Sequence, residues 1–242
     1  MPQFLIKKEN ITDNLINIYN KQDIIHITKV LRKKSDDIID FAGDDGILYQ
    51  AQILDFDKET LSAKILSKKE NPHKLKTNIT LFQSILKASA QDITIQKATE
   101  LGVFEICPII TQFCVINIKN DKEKSQKIEK WQKISLESCK QCERAIPPVI
   151  ERVLSLKEAL NLNYDLKIAC VERNAEKALK EILSTSHPQN IAIFIGPEGG
   201  WADFEIALFE KYNVQKASLG NMILRAETAS ISALSGVVYE LE

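Results

Sequence analysis

Glycine and proline are scarce, eight and seven in 242 residues, so a collagen-like or low-complexity chain is excluded and every Gly- or Pro-dense stretch marks unusual backbone. No apolar run approaches the ~20 residues of a membrane-spanning helix. The start, MPQFLIKKEN, places charge directly after three apolar residues, too early for the core of a secretion signal, and so predicts a cytosolic protein. Charge of one sign is not in excess: 32 Lys and Arg face 33 Asp and Glu. No global field therefore draws the protein to nucleic acid or membrane, and any polyanion must meet a local patch. Three histidines and no GxSxG give a hydrolase little to work with. Five cysteines, an odd count without an export signal, argue for reduced thiols.

What is present is an ordinary globular composition, 44% hydrophobic and 27% charged, long enough for two domains. Residues 1 to about 70 alternate short β-type runs with turns: PQFLI, a hairpin of Ile38–Phe41 and Ile47–Leu54 joined through Ala42–Gly46, and LSAKILS. Together they predict a small barrel or sandwich. Between them, His26–Lys34 reads as a short helix ending in cations. The polar stretch Ser67–Lys74, broken by Pro72, marks a linker and divides the chain into 1–72 and 73–242.

Beyond it the pattern becomes α/β. Strands are expected at Ile79–Ile85, Ile106–Thr111, Val149–Val153, Leu166–Val171, Ile191–Ile195 and Gln215–Leu219. Helices are expected at Asp92–Leu101, Lys122–Arg144, Ala175–Leu183, Asp203–Tyr212 and Ala226–Leu241. Strands without a polar face, alternating with helices, imply a parallel sheet covered on both sides. Such sheets bind ligands at the carboxyl ends of their strands.

Two loops of that kind carry chemistry. Ile195-Gly196-Pro197-Glu198-Gly199-Gly200-Trp201 holds three of the eight glycines. It lacks the Lys-Ser/Thr of a phosphate cradle and the GxGxxG spacing, while Pro197 removes a donor and Glu198 adds an anion. The loop suits a ligand that tolerates close backbone approach and carries positive charge, such as the sulfonium of S-adenosylmethionine. The second, Ser218-Leu219-Gly220-Asn221-Met222-Ile223-Leu224-Arg225-Ala226-Glu227-Thr228-Ala229, combines a Gly-Asn turn, apolar residues that can wall a flat heterocycle, and charges at a helix entrance. Alone, either loop also reads as a tight turn with surface charges.

IGPEGGW followed by SLGNMILRAETA resembles the cofactor region of the RsmE-type ribosomal RNA methyltransferases of the SPOUT superfamily. HITKVLR, QKATELGV, the Lys130-Trp131 pair and ESCKQCERAIPPV resemble that family's other blocks in order, so the likeness spans the chain. It implies a PUA-like barrel, then a SPOUT α/β domain with a deep trefoil knot, acting as a cytoplasmic homodimer. The implied reaction is S-adenosylmethionine-dependent methylation of ring nitrogen 3 of a uridine in 16S ribosomal RNA of the small subunit, without metal or membrane. Periodicity cannot give the knot, against which the physical prior runs.

On this likeness Ile195, Gly196, Pro197, Glu198, Gly199, Gly200, Leu219, Gly220, Asn221, Ile223, Leu224 and Ala229 hold the cofactor. Arg225, Arg144 and Glu198 are the catalytic candidates, Arg144 acting across the dimer and Glu227 being a second possible proton acceptor. Arg144 also reads as a helix C-terminal cation, and Glu198 as a residue that orients its loop. Ala202 stands where the family has a capping residue, so Asp203 is expected to cap instead or an amide to go unsatisfied.

For RNA, Lys29, Arg32, Lys33 and Lys34 form a cation cluster with no acid before Asp36. Lys119, Lys122, Lys124, Lys127, Lys130 and Lys133 are interleaved with acids and read as a solvated helix face. Cys139 and Cys142 form a CxxC without the further ligands of a zinc site, and are expected as buried thiols. Two rival readings remain: a related methyltransferase acting on another RNA, such as a transfer RNA ribose, and a non-catalytic ribosome-assembly protein.

Overall fold

The computed structural model describes residues 4–71, 75–116, 118 and 120–242. They form two compact units, Met1–Lys74 with Cys139–Ile146, and Leu75–Ser138 with Pro147–Glu242. The expected dividing point at Pro72 and His73, with Lys74, lies outside the described residues.

The small unit is a six-stranded sheet of β1 (Phe4–Ile6), β2 (Ile11–Thr12), β3 (Leu15–Ile18), β4 (Ile38–Gly43), β5 (Ile47–Phe56) and β6 (Leu61–Glu70), in the order β1-β4-β5-β6-β3-β2. Only the β1–β4 pair is parallel. Phe4 of β1 and Ile16 of β3 share one apolar cluster although four places separate their strands in the order, so the sheet curls around its core. Register shifts between β5 and β6 at Gln50/Ala51 and Ile53/Asp55 supply local bends. The predicted hairpin is β4–β5, closed by Gly46 N–H donating to Gly43 O at 3.0 Å with Gly46 at φ +79°. The Tyr49 hydroxyl donates to Asp45 at 2.6 Å, and burial together with that carboxylate pushes its pKa up to about 12.

The helix expected over 26–34 is shorter and begins earlier. Asn20 caps α1 (Lys21–Ile25), the chain widens into one π-turn over His26–Val30, and Arg32 at φ +55° ends it. Ile27, Thr28 and Val30 are β-branched, and Thr28 donates its hydroxyl to Ile24 O, both of which weaken a regular continuation.

The large unit is built on an all-parallel sheet of β7 (Asn78–Ser84), β8 (Glu105–Ile110), β9 (Val149–Ile150), β10 (Leu154–Ser155), β11 (Leu166–Cys170), β12 (Lys177–Ala178), β13 (Asn190–Ile195) and β14 (Gln215–Ser218). The order is β10-β8-β7-β13-β11-β14-β12, with β9 also on β8. The helices are α2 (Ala88–Glu100), α3 (Asp121–Cys142), α4 (Leu156–Leu160), α5 (Leu179–Leu183), α6 (Asp203–Lys211) and α7 (Ala226–Leu241). Strand β13 shows why both faces are covered. Ile191, Ile193 and Ile195 join Ile95 of α2 and Leu234 of α7 in one core, while Ala192 and Phe194 join Leu160 of α4 and Phe209 of α6 in the other. Each buried Ile or Phe contributes about 1.5–3 kcal/mol.

Several expected bounds change. The strand Val149–Val153 is split into β9 and β10, because between its paired positions it carries one residue more than β8 can match: Ile150 pairs Ile106 and Leu154 pairs Ile109. The helix expected from Ala175 begins at Leu179, since Lys177 and Ala178 first pair with β14. Helix α2 begins four residues before Asp92, behind Lys87, which offers no side-chain cap and so gives no start signal. Gly102 ends the region as expected, at φ +86°, where a Cβ would also come within 2.9 Å of Leu75.

Candidate functional site

The registers align four strand ends. Ile195 of β13 pairs with Gln83 of β7 and Cys170 of β11, and Cys170 pairs with Ala217 of β14. The segments leaving these strands must therefore emerge side by side. They enclose a cavity of about 930 Å³, lined by Lys87, Ser89 and Ala90, by Cys170–Asn174, by Ile195–Trp201 with Asp203 and Ile206, and by Leu219, Gly220 and Met222–Glu227 with Ala229.

The loop after β13 is tightly specified. Gly200 N–H donates to Pro197 O at 3.0 Å, and Gly200 lies at φ +72°. A Cβ on Gly199 would fall 2.8 Å from that of Phe113, so only glycine admits this approach. The Trp201 ring covers Gly196 and its indole N–H donates to Cys170 O at 2.9 Å, tying this loop to the one after β11. Glu198 Oε1 accepts the Lys87 amide at 3.1 Å, tying it to the start of α2.

Ala202 is the N-cap of α6 and offers no side-chain cap bond, so the helix starts with an amide uncapped, the second of the two alternatives foreseen. The amide of Ala202 itself is satisfied by Glu205 Oε2 at 3.0 Å, while Glu205 Oε1 accepts the Gln112 amide at 2.9 Å. Glu205, 1% exposed, thus fastens the segment that carries Phe113 to the helix that follows the glycine loop. It sits inside the expected α6, but its partner lies 93 residues away, which no local pattern signals.

The loop after β14 is more open. The Ser218 hydroxyl pairs with the Gly220 backbone, Gly220 lies at φ +124° and a Cβ there would meet nothing within 4 Å. Met222 and Ile223 are 80% and 67% exposed. Arg225 stands at the N-cap of α7 without a side-chain cap bond, and its guanidinium makes no ion pair among the described residues.

Most residues singled out from sequence are brought together: Ile195, Gly196, Pro197, Glu198, Gly199, Gly200, Leu219, Gly220, Ile223, Leu224, Arg225 and Ala229 all line the cavity. Asn221 does not; it is exposed at the turn, outside the lining. Arg144 does not either. It belongs to the small unit's Cys139–Ile146 segment and turns its Nε toward Ile146 O at 2.6 Å. Burial lowers its pKa, and the neighbouring Cys139 and Cys142 oppose that shift. Lys29, Arg32 and Lys34 are exposed and Lys33 half-buried, in the small unit. Lys119 lies outside the described residues, while Lys124 pairs with Asp121 and Lys130 with Asp92. Cys139 is buried, its thiol pushed up to about 12 by desolvation, whereas Cys142, expected to be buried too, is only partly so; no disulfide joins any of the five cysteines. Among the described residues no group of His, Cys, Asp or Glu is placed to hold a metal, and no helix is long and apolar enough to cross a membrane. The reading from glycine alone missed Glu172-Arg173-Asn174, which line the cavity from a loop without glycine.

The family model described as an RNA methyltransferase domain matches residues 73–238, and that of the RNA methyltransferase PUA domain matches residues 19–66. The chain is 34% identical to a ribosomal RNA small subunit methyltransferase E of Rickettsia conorii, over 92% of this chain and 88% of that one. It is 37% identical to the protein of that name from Mesomycoplasma hyopneumoniae, over 74% and 77%. Its fold is similar to the crystal structure of a ribosomal RNA small subunit methyltransferase E from Neisseria gonorrhoeae bound to S-adenosylmethionine. There the TM-score is 0.87 at 28% identity, covering 100% of this chain and 98% of that one.

Proposed function

Since the chain belongs to the RNA methyltransferase family and carries that family's PUA domain, we propose that it methylates ring nitrogen 3 of one uridine in 16S ribosomal RNA, as a cytoplasmic homodimer acting on the small subunit. It is an S-adenosylmethionine-dependent ribosomal RNA methyltransferase of SPOUT type. The observation that carries the finer reading is the convergence of IGPEGGW and LGNMILRA on one cavity.

The residues present fit S-adenosylmethionine. The volume is at the upper end of ligand pockets, ~300–1,000 Å³, leaving room for a nucleobase beside the cofactor. Gly220 presents open backbone, Ile195, Leu219, Ile223 and Leu224 supply apolar walls, and four carboxylates against three cations suit a ligand with net positive charge. When bound, the sulfonium supplies an activated methyl group with a neutral leaving group.

The chain's own residues must align and deprotonate the target. Alignment alone contributes about 7–11 kcal/mol. The uracil imide is a poor nucleophile until its proton is lost, so charge developing on its carbonyl oxygens needs a donor. Arg225, at the cavity and unpaired among the described residues, fills that role with its planar fork. Glu198 is engaged with the Lys87 amide and acts by holding its loop, which leaves Glu227, in the first turn of α7, to take the imide proton. Arg144 is assigned to substrate contact in the neighbouring site of the dimer.

The strand order supports a trefoil knot. β13 inserts between the earlier β7 and β11, and β14 emerges beyond β11, the strand order that a chain passing back through its own connections needs. We place the division between the PUA-like and SPOUT domains at 72/73, with Cys139–Ile146 returning to the compact unit of the former. The cluster Lys29, Arg32, Lys33 and Lys34 is proposed to meet phosphates. Neutralising Arg32 and Lys33 is expected to weaken RNA binding and flatten its salt dependence; an unchanged slope removes the cluster from the RNA face.

Mass spectrometry of 16S ribosomal RNA from cells with and without the protein tests the main reading. Loss of one N3-methylated uridine is expected, and an unaltered methylation pattern would overturn it.

A further inference from the structure

We infer that Glu172 is a specificity residue that recognises the positive charge on the cofactor's sulfur, an inference that rests on the cavity being the S-adenosylmethionine site. Four carboxylates line the cavity. Three have work within the chain. Glu198 accepts the Lys87 amide. Asp203 and Glu227 stand in the first turns of α6 and α7, where the helix dipole favours an anion. Glu172 has neither. It lies on the loop after β11, outside any helix, and among the described residues no hydrogen bond or ion pair engages its carboxylate.

The backbone that carries it is nonetheless fixed. Val171 N–H donates to Ala217 O at 3.0 Å on one side, Cys170 O accepts the Trp201 indole, and Asn174 at φ +58° turns the chain away on the other. Both carboxylate oxygens are 4.0 Å from the point where a Gly200 Cβ would stand, so the anion lies beside the glycine loop. Four carboxylates face three cations, Lys87, Arg173 and Arg225, in this cavity, so one negative charge is left over, and the carboxylate without a partner favours entry of a further cation. S-adenosylmethionine brings one. Its ammonium is balanced by its own carboxylate, whereas the sulfonium has no internal counter-ion. That charge disappears with the methyl group, so a carboxylate at this site holds the methyl donor more tightly than S-adenosylhomocysteine and favours release of the spent cofactor.

The test is titration calorimetry of the full-length protein and its Glu172→Gln variant with S-adenosylmethionine and S-adenosylhomocysteine. The substitution is isosteric at an exposed position, and circular dichroism checks the fold. We expect Glu172→Gln to weaken S-adenosylmethionine about three- to tenfold, the range between an exposed and a partly desolvated ion pair, and to leave S-adenosylhomocysteine within about twofold. Glu172→Asp, which keeps the charge, should retain the preference for the methyl donor. Equal weakening of both ligands, or no weakening of either, overturns the inference while the cofactor site stands. Failure of the unaltered protein to bind either ligand overturns the site itself.

Discussion

The two glycine loops that face each other across the cavity are held very differently. The loop after β13 is gripped from three directions: Gly199 against Phe113, Trp201 to the Cys170 carbonyl, and Glu198 to the Lys87 amide. Among the described residues the loop after β14 has only the local Ser218–Gly220 bonds, and it exposes Met222 and Ile223. One is a mould formed before any ligand arrives, so its part in binding costs little ordering. The other must lose side-chain freedom when a ligand covers it, at about 0.5–1.5 kcal/mol per immobilised side chain. Glycine content therefore says where backbone approaches a ligand, not how firmly it is held.

The contrast breaks hardest at Glu205. Glu205→Ala leaves the Ala202 and Gln112 amides without their acceptor, and we expect a loss of about 2–4 kcal/mol in urea denaturation. A loss under about 0.5 kcal/mol would mean that the mould is held by something else. Gly199→Ala is the next largest, about 1–3 kcal/mol from overpacking against Phe113, and Phe113→Ala in the same chain should recover part of it. If the double variant is no better than the single, steric contact is not the cause. Trp201→Phe removes the hydrogen bond to Cys170 O while keeping most of the ring, for about 1 kcal/mol and a weaker cofactor affinity. Ile223→Ala is the smallest in stability, within about 0.5 kcal/mol, yet should still raise the dissociation constant for S-adenosylmethionine. Should Ile223→Ala destabilise the protein as much as Gly199→Ala, the two loops are not different in kind.

What sequence revealed of this site follows from how local each signal is. The apolar strands β7, β11 and β13 and the glycines at their ends are readable because periodicity and backbone freedom are properties of a few adjacent residues. The α2 start behind Lys87 was not, since a lysine there resembles any surface lysine. Nor was Glu172, whose loop turns at Asn174 in a left-handed conformation without a glycine to advertise it. Asn221 shows the opposite: a Gly-Asn turn draws attention to both residues, and of the two Gly220 borders the cavity. Arg144 was drawn in by resemblance, and its Nε donates to the Ile146 carbonyl within its own unit. Helix α4 and strand β12 are too short, at five and two residues, to give a period.

The small unit borrows its last pieces from far along the chain. Lys140 Nζ lies 3.3 Å from the buried carboxylate of Asp23, and Ala145 packs with Ala42 and Leu48. A fragment cut at residue 72 would strand Asp23 without its counter-ion and open a gap beside the β4–β5 hairpin, so the N-terminal half is not an autonomous cassette that could be expressed alone or transplanted onto another enzyme. During synthesis it must wait for nearly seventy further residues before its own packing is complete.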